Sequence, residues 1–180
     1  MKPTWSRWLL PAVLVAVLPM GLQAQKGSAG SKAVEIGMDG GFSFGLNTPS
    51  TVSFDLPFQN VRAGFALNNQ WSLEPSVSFS YFHVSGGSST NVSLLVGAPY
   101  LLSGATRTHG LYIRPFAGLQ STSTTGTPST NSFVIGGGVG YRMPWMDRMG
   151  WRFEASFGHG FGGGDPSMLN LTVGTSFFTK

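Results

Sequence analysis

The sequence predicts an all-β chain: an eight-stranded antiparallel up-and-down transmembrane β-barrel after a cleaved signal peptide. Three observations predict it. Apolar residues recur at every second position through eight successive segments. Every charged residue on those segments takes the opposite parity, together with Gly and Ser. An export-type leader precedes the pattern.

The leader comes first. Lys2 and Arg7 supply a positive start, and Leu9 to Leu18 forms a short apolar core. Leu22 and Ala24 then occupy the two recognition positions of a small-residue cleavage site. The apolar run is about half of the ~20 residues a spanning helix needs, so residues 1–24 read as a signal peptide. Residues 25–32 read as a flexible lead-in, and 33–180 as the barrel. Cleavage removes Lys2 and Arg7 and leaves nine basic against seven acidic residues. These charges are scattered singly, so no basic patch points to nucleic acid. There is no cysteine, which excludes disulfides, thiolate metal sites and a lipid-anchored lipoprotein.

The strands follow in order. Val34, Ile36, Met38, Phe42 and Phe44 give the apolar parity of a first strand near 34–46. A second, near 51–67, ends on Val61, Ala63, Phe65 and Leu67. Its first half has Val52, Phe54 and Leu56 at the other parity, so a bulge is expected between Pro57 and Asn60. Trp71, Leu73, Val77, Phe79 and Tyr81 mark the third (70–84), and Val92, Leu94, Val96, Ala98, Tyr100 and Leu102 the fourth (90–103). Leu111, Ile113, Ala117 and Leu119 mark the fifth (109–121), and Phe133, Ile135, Val139 and Tyr141 the sixth (131–143). Trp151, Phe153, Ala155 and Phe157 mark the seventh (149–160), and Leu169, Leu171, Val173 and Phe177 the eighth (168–178). Period-two patterning over such lengths is the strand signal.

Glu35, Asp39, Asp55, Arg62, Glu74, Arg114, Arg142, Arg152 and Glu154 all fall on the other parity. Chance placement would do this about once in 500 trials under strict alternation. A soluble barrel shows the same alternation turned inside out, so periodicity alone does not choose. The polar face does. It holds no Lys and is mostly Gly and Ser, which suits the cramped inside of a small barrel better than a water-facing sheet. Aromatics also gather at strand ends. Phe65, Trp71, Tyr100, Tyr141, Trp145, Trp151 and Phe177 fall towards the rim near the termini, and Phe44, Phe54, Tyr81, Phe133 and Phe157 towards the opposite rim. Paired aromatic girdles mark two membrane interfaces. With an export signal, the membrane is an outer membrane of the Gram-negative type.

Short turns (68–69, 104–107 and 144–148) alternate with Gly/Ser/Thr-rich ones (47–50, 85–89, 122–130 and 161–167). An even-stranded barrel with both termini in the periplasm puts the second group outside.

Phe54-Asp-Leu-Pro57, Val61-Arg-Ala-Gly-Phe65, Trp71-Ser-Leu-Glu-Pro75, Arg114-Pro-Phe-Ala-Gly118 and Gly136-Gly-Gly-Val-Gly140-Tyr-Arg142 resemble the outer-membrane β-barrel-domain superfamily. That group includes OmpA-type transmembrane domains and OmpX-like proteins, and the resemblance covers about residues 33–178. It implies the eight-stranded fold, contact with outer-membrane lipid and lipopolysaccharide, and handling by the barrel-assembly machinery. Such barrels usually end on an aromatic residue. This chain ends Phe177-Phe178-Thr179-Lys180, so that signal is present but not terminal.

The inward charges are expected to neutralise one another in a salt-bridged plug, since an eight-stranded interior is only wide enough for side chains. A narrow ion path through the plug is the functional alternative. His83 and Ser85 form a His-x-Ser pair like that of outer-membrane lipid A deacylases, but no carboxylate accompanies it on the next strand, so catalysis is not expected. His109 and His159 stand alone, so neither a metal nor a cofactor is called for. The expected role is structural or surface-interactive, as a monomer. Three alternatives are a lipid-modifying hydrolase, a narrow ion conductor and a soluble periplasmic ligand-binding barrel.

Overall fold

The structure is a computed structural model. It describes residues 34–46, 51–84, 87–163 and 166–179, with the backbone alone for 51–59 and 82–84. The leader, the lead-in and Ser85 lie outside the described residues.

The strands are β1 (Val34–Gly45), β2 (Thr51–Ala66), β3 (Ser72–Val84), β4 (Gly87–Gly97), β5 (Tyr100–Leu101), β6 (Gly110–Thr124), β7 (Thr130–Met146), β8 (Met149–Gly162) and β9 (Ser167–Phe178). All neighbours are antiparallel, in the order β4-β3-β2-β1-β9-β8-β7-β6-β5. A further β4–β6 pairing closes the sheet on itself. The nine segments make eight staves, because β5 continues β4 in one register. Gly97 lies opposite Phe116 and Tyr100 opposite Ile113. The interruption falls at Pro99, which has no N–H to give the ladder. Its carbonyl still accepts from Ser72 at 3.0 Å, so the wall is continuous there.

The parity switch in β2 comes from a break in its pairing with β1. Asp39 lies opposite Asn60, but Gly41 lies opposite Asp55. Four residues of β2, 56–59, therefore stand against Gly40 alone, and the odd slip reverses the faces. Elsewhere the strands run longer than the apolar pattern. β4 begins at Gly87 and β6 reaches Thr124, where Ser and Thr hydroxyls continue the pairing (Ser88 N–H to Thr125 Oγ1, 2.9 Å). β7 extends through Pro144 and Trp145, so the connection to β8 is only Asp147-Arg148.

At the end that carries the termini, Asn68 caps its turn by accepting from the Gln70 and Trp71 amides at 2.9 and 2.8 Å. Gly104, with φ of 78°, turns the chain after Leu102. Thr179 N–H donates to the Val34 carbonyl at 2.8 Å and joins the two ends of the barrel wall.

The faces are inverted relative to a water-soluble barrel. Among the described side chains the buried set is dominated by charge: Glu35, Asp39, Arg62, Glu74, Arg114, Arg142, Arg152 and Glu154. Large apolar side chains such as Phe79, Leu119, Ile135, Val139 and Phe157 are exposed. In β6 the alternation is plain, with Leu111 and Ile113 outward and Tyr112 and Arg114 inward.

Candidate functional site

The inward charges meet in the half of the barrel nearest the termini. They arrive from six staves: Glu35 and Asp39 on β1, Arg62 on β2, Glu74 on β3, Arg114 on β6, Arg142 on β7, and Arg152 and Glu154 on β8. Four arginines face four carboxylates there, so the described interior charges cancel.

Two hubs organise the network. Arg62 ion-pairs with Glu35, donates from Nε to Asp39 Oδ2 at 2.8 Å, and gives Nη2 to Ser176 Oγ at 2.7 Å. Ser176 in turn donates to Glu35 Oε1 at 2.7 Å. Arg152 spans Glu74 (Nη1–Oε2, 2.5 Å) and Glu154 (Nη2–Oε2, 2.6 Å). Glu74 links the hubs, lying 3.5 Å from Arg62 Nη1 and 3.8 Å from Arg114 Nη1. Arg114 closes the other side with Nη2 at 2.5 Å from Glu154 Oε1. Arg142 contacts Glu35 Oε2 at 2.7 Å and donates to the Arg107 carbonyl at 3.2 Å, which ties the plug to the turn below.

Tyr112 holds the centre and is fully buried. Its hydroxyl donates to Glu154 Oε2 at 2.8 Å and accepts from Arg152 Nε at 2.5 Å. The Arg142 and Arg152 guanidiniums lie 5.0 and 4.9 Å from its ring centroid, within cation–π range. Small residues make the room. A Cβ on Gly140 would collide with the Tyr112 phenol, and one on Gly37 with the Arg62 guanidinium.

Eight of the nine charges expected inside are brought together this way; Asp55 is described only as the backbone partner of Gly41. Sequence reasoning missed Tyr112, Phe116 and Val134, which also point inward. Parity was the available signal, because Tyr112 and Phe116 flank Arg114 at steps of two.

Every aromatic expected in a girdle is at least partly exposed, except Phe54, whose side chain is not described. Near the termini, Trp71 lies on Tyr100 with centroids 4.8 Å apart, Trp145 stacks on Trp151 at 5.6 Å, and Tyr141 hydrogen-bonds His109 at 2.9 Å. At the other rim Tyr81, Phe133 and Phe157 stand outward, with Phe44 half-exposed.

His83 enters the structure only through its backbone pairing with Ser88, and Ser85 is outside the described residues. No group of three His, Asp or Glu residues suited to a metal occurs among the described residues.

Above the plug, towards the loop end, the interior changes character. Ser43 donates to Asn170 at 2.6 Å, and Ser78 and Ser93 share a hydrogen bond of 2.5 Å. These groups line a cavity of about 190 Å³ whose floor is Asp39, Arg62, Glu74, Arg114, Arg152 and Glu154.

No protein-family model matches the chain, and no curated protein matches it significantly. Solved structures do. Neisserial surface protein A (NspA) superposes with a TM-score of 0.66 at 14% identity, covering 81% of this chain and 97% of that one. Ail, the attachment invasion locus protein of Yersinia pestis, gives 0.53 at 16% identity, over 82% and 99%. The N-terminal β-barrel domain of Pseudomonas aeruginosa OprF gives 0.51 at 18% identity, over 84% and 100%. Closed sheet, eight staves and inverted faces together give this chain the fold of the small eight-stranded outer-membrane β-barrels.

Proposed function

We propose that the chain is an integral outer-membrane protein, exported by its leader, whose barrel is closed by an Arg/Asp/Glu plug and serves the envelope or surface interaction. The observation that carries this is the inversion of faces. The charges are inside and cancel, while Val, Leu, Ile and Phe cover the outside. Water would penalise so extensive an exposed apolar belt, whereas a bilayer selects it. The plug supports a non-conducting barrel, since Arg62, Glu74 and Arg152 fill the cross-section with mutual ion pairs. A surface role is supported by two barrels of the same fold, one named a surface protein and the other an attachment invasion locus protein. Its partners are then outer-membrane lipid and lipopolysaccharide, with the barrel-assembly machinery acting during biogenesis, and the monomer is the working form.

Fractionation of expressing cells, followed by gel mobility with and without boiling, tests this. Recovery in the outer membrane with a heat-shifted band is the expected result. Recovery in the soluble periplasm overturns it.

A further inference from the structure

Outside the barrel interior, positive charge lies at one end of the described wall. The four loop connections, 46–50, 85–86, 125–129 and 163–166, contain no Lys or Arg, and Asp165 is their only charge. The turns at the termini end carry Arg107 and Arg148 against Asp147 alone, and Lys180 follows Thr179. Arg148 is exposed at the β7–β8 tip and ion-pairs with no carboxylate among the described residues. A lipid phosphate recognised by side-chain charge therefore belongs to the leaflet at the termini end.

The outer wall above that rim is dented. Gly40 on β1 and Ala155 on β8 both take outward parity, and neither has the bulk to cover the wall. Phe42, Phe153, Tyr141 and Trp151 stand around them and border an apolar groove of about 860 Å³. Its lower end reaches the rim, where Trp145 stacks on Trp151 and His109 hydrogen-bonds Tyr141. Trp and Tyr favour the depth at which acyl chains give way to headgroups. Arg148 lies three residues below Trp151, about 10 Å along an extended strand, and so stands at phosphate depth. When Tyr141 donates to His109 Nε2, the Nδ1–H of that ring is left to offer.

We infer that this face of the barrel holds one phospholipid with an anionic headgroup, of the phosphatidylglycerol class, from the leaflet at the termini end. An acyl chain fills the groove over Gly40 and Ala155. The phosphate takes the paired N–H donors of Arg148, with His109 beside it. The groove selects a chain of methylenes, and Arg148 selects the net negative headgroup. The inference rests on the proposed membrane insertion, because the lipid reaches the wall from the bilayer.

Native mass spectrometry of the full chain tests it. The protein is extracted from membranes in detergent, verified by its heat-shifted band, and given equal amounts of dioleoyl phosphatidylglycerol and dioleoyl phosphatidylcholine. One phosphatidylglycerol is expected to stay bound, favoured about fivefold over phosphatidylcholine, the factor one basic residue adds towards an anionic lipid. Arg148→Gln should bring the two lipids level, and Arg148→Lys should keep most of the preference. Ala155→Phe, which fills the groove, should remove both adducts; if it gives no heat-shifted band, Val173→Trp, at the same groove, replaces it. Equal retention of the two lipids by the parent chain, or a preference that survives Arg148→Gln, overturns the inference. A second copy of the chain bound in place of lipid overturns it too. Recovery in the soluble periplasm defeats the membrane insertion itself, whereas a heat-shifted outer-membrane barrel that retains no phospholipid defeats this inference alone.

Discussion

Tyr112 on β6 donates its hydroxyl hydrogen to Glu154 Oε2 at 2.8 Å while accepting one from Arg152 at 2.5 Å, so one phenol joins a cation and an anion of β8, two staves away. Tyr112→Phe keeps the ring and its cation–π contacts but strips a partner from each of two buried ions. Stability should fall by about 1–3 kcal/mol, the cost of leaving buried groups unsatisfied. The check is the urea midpoint of refolded protein followed by heat-shifted gel mobility. An unchanged midpoint would show that Arg152 and Glu154 are satisfied without the phenol.

Glu74 serves three arginines, lying 2.5 Å from Arg152, 3.5 Å from Arg62 and 3.8 Å from Arg114. Glu74→Gln leaves the plug with one excess buried cation and should cost about 3–5 kcal/mol. Adding Arg152→Met restores charge balance, so the double variant should be destabilised by less than the sum of the two single changes. A coupling energy of about 0.5–3 kcal/mol in the mutant cycle is expected. Strict additivity would mean that the two side chains do not interact.

Room for the plug is supplied by glycines of the inner wall. Gly140→Leu would drive a side chain into the Tyr112 phenol, and Gly37→Val into the Arg62 guanidinium. Both variants should lose the heat-shifted band on refolding into micelles. Gly87→Ala, where a Cβ meets only the Thr125 Cβ at 3.8 Å, is the matched control and should stay within about ±0.5 kcal/mol of the parent. A normal band from Gly140→Leu would place the phenol elsewhere.

Alternation made the barrel legible because side chains of a strand must point to opposite sides, whatever their neighbours. The same rule located the bulge: Leu56 and Val61 are both apolar at opposite parity, and the register slips opposite Gly40. It did not locate the pause in the fourth stave, since Ala98 and Tyr100 keep parity across Pro99 while the hydrogen-bond ladder is interrupted. Charges on the inner face announced a plug. Tyr112 went unread because a tyrosine on a barrel strand is equally at home at a membrane rim, as Tyr141 and Tyr81 are, although its parity, shared with Arg114, puts it inside. Which carboxylate meets which arginine was likewise beyond the pattern. That depends on the stagger between staves, as in the contact of Arg152 on β8 with Glu74 on β3.

Val139, in the middle of β7 and 55% exposed, separates a bilayer from water as the barrel's solvent. Towards lipid near the midplane, Val139→Arg should cost about 2–4 kcal/mol, falling to about 0–1 near an interface. Phe161→Arg, closer to the loop end and 52% exposed, should therefore cost much less. Both are measured as urea midpoints in phospholipid vesicles, with the wild-type chain beside them. In a barrel that exposed this face to water, Val139→Arg would be almost silent, since it adds a solvated charge and removes a surface apolar group. Equal and small effects at both positions would therefore defeat the membrane assignment, whereas a penalty that grows from Phe161 to Val139 reads the depth of the bilayer from the protein's own outer wall.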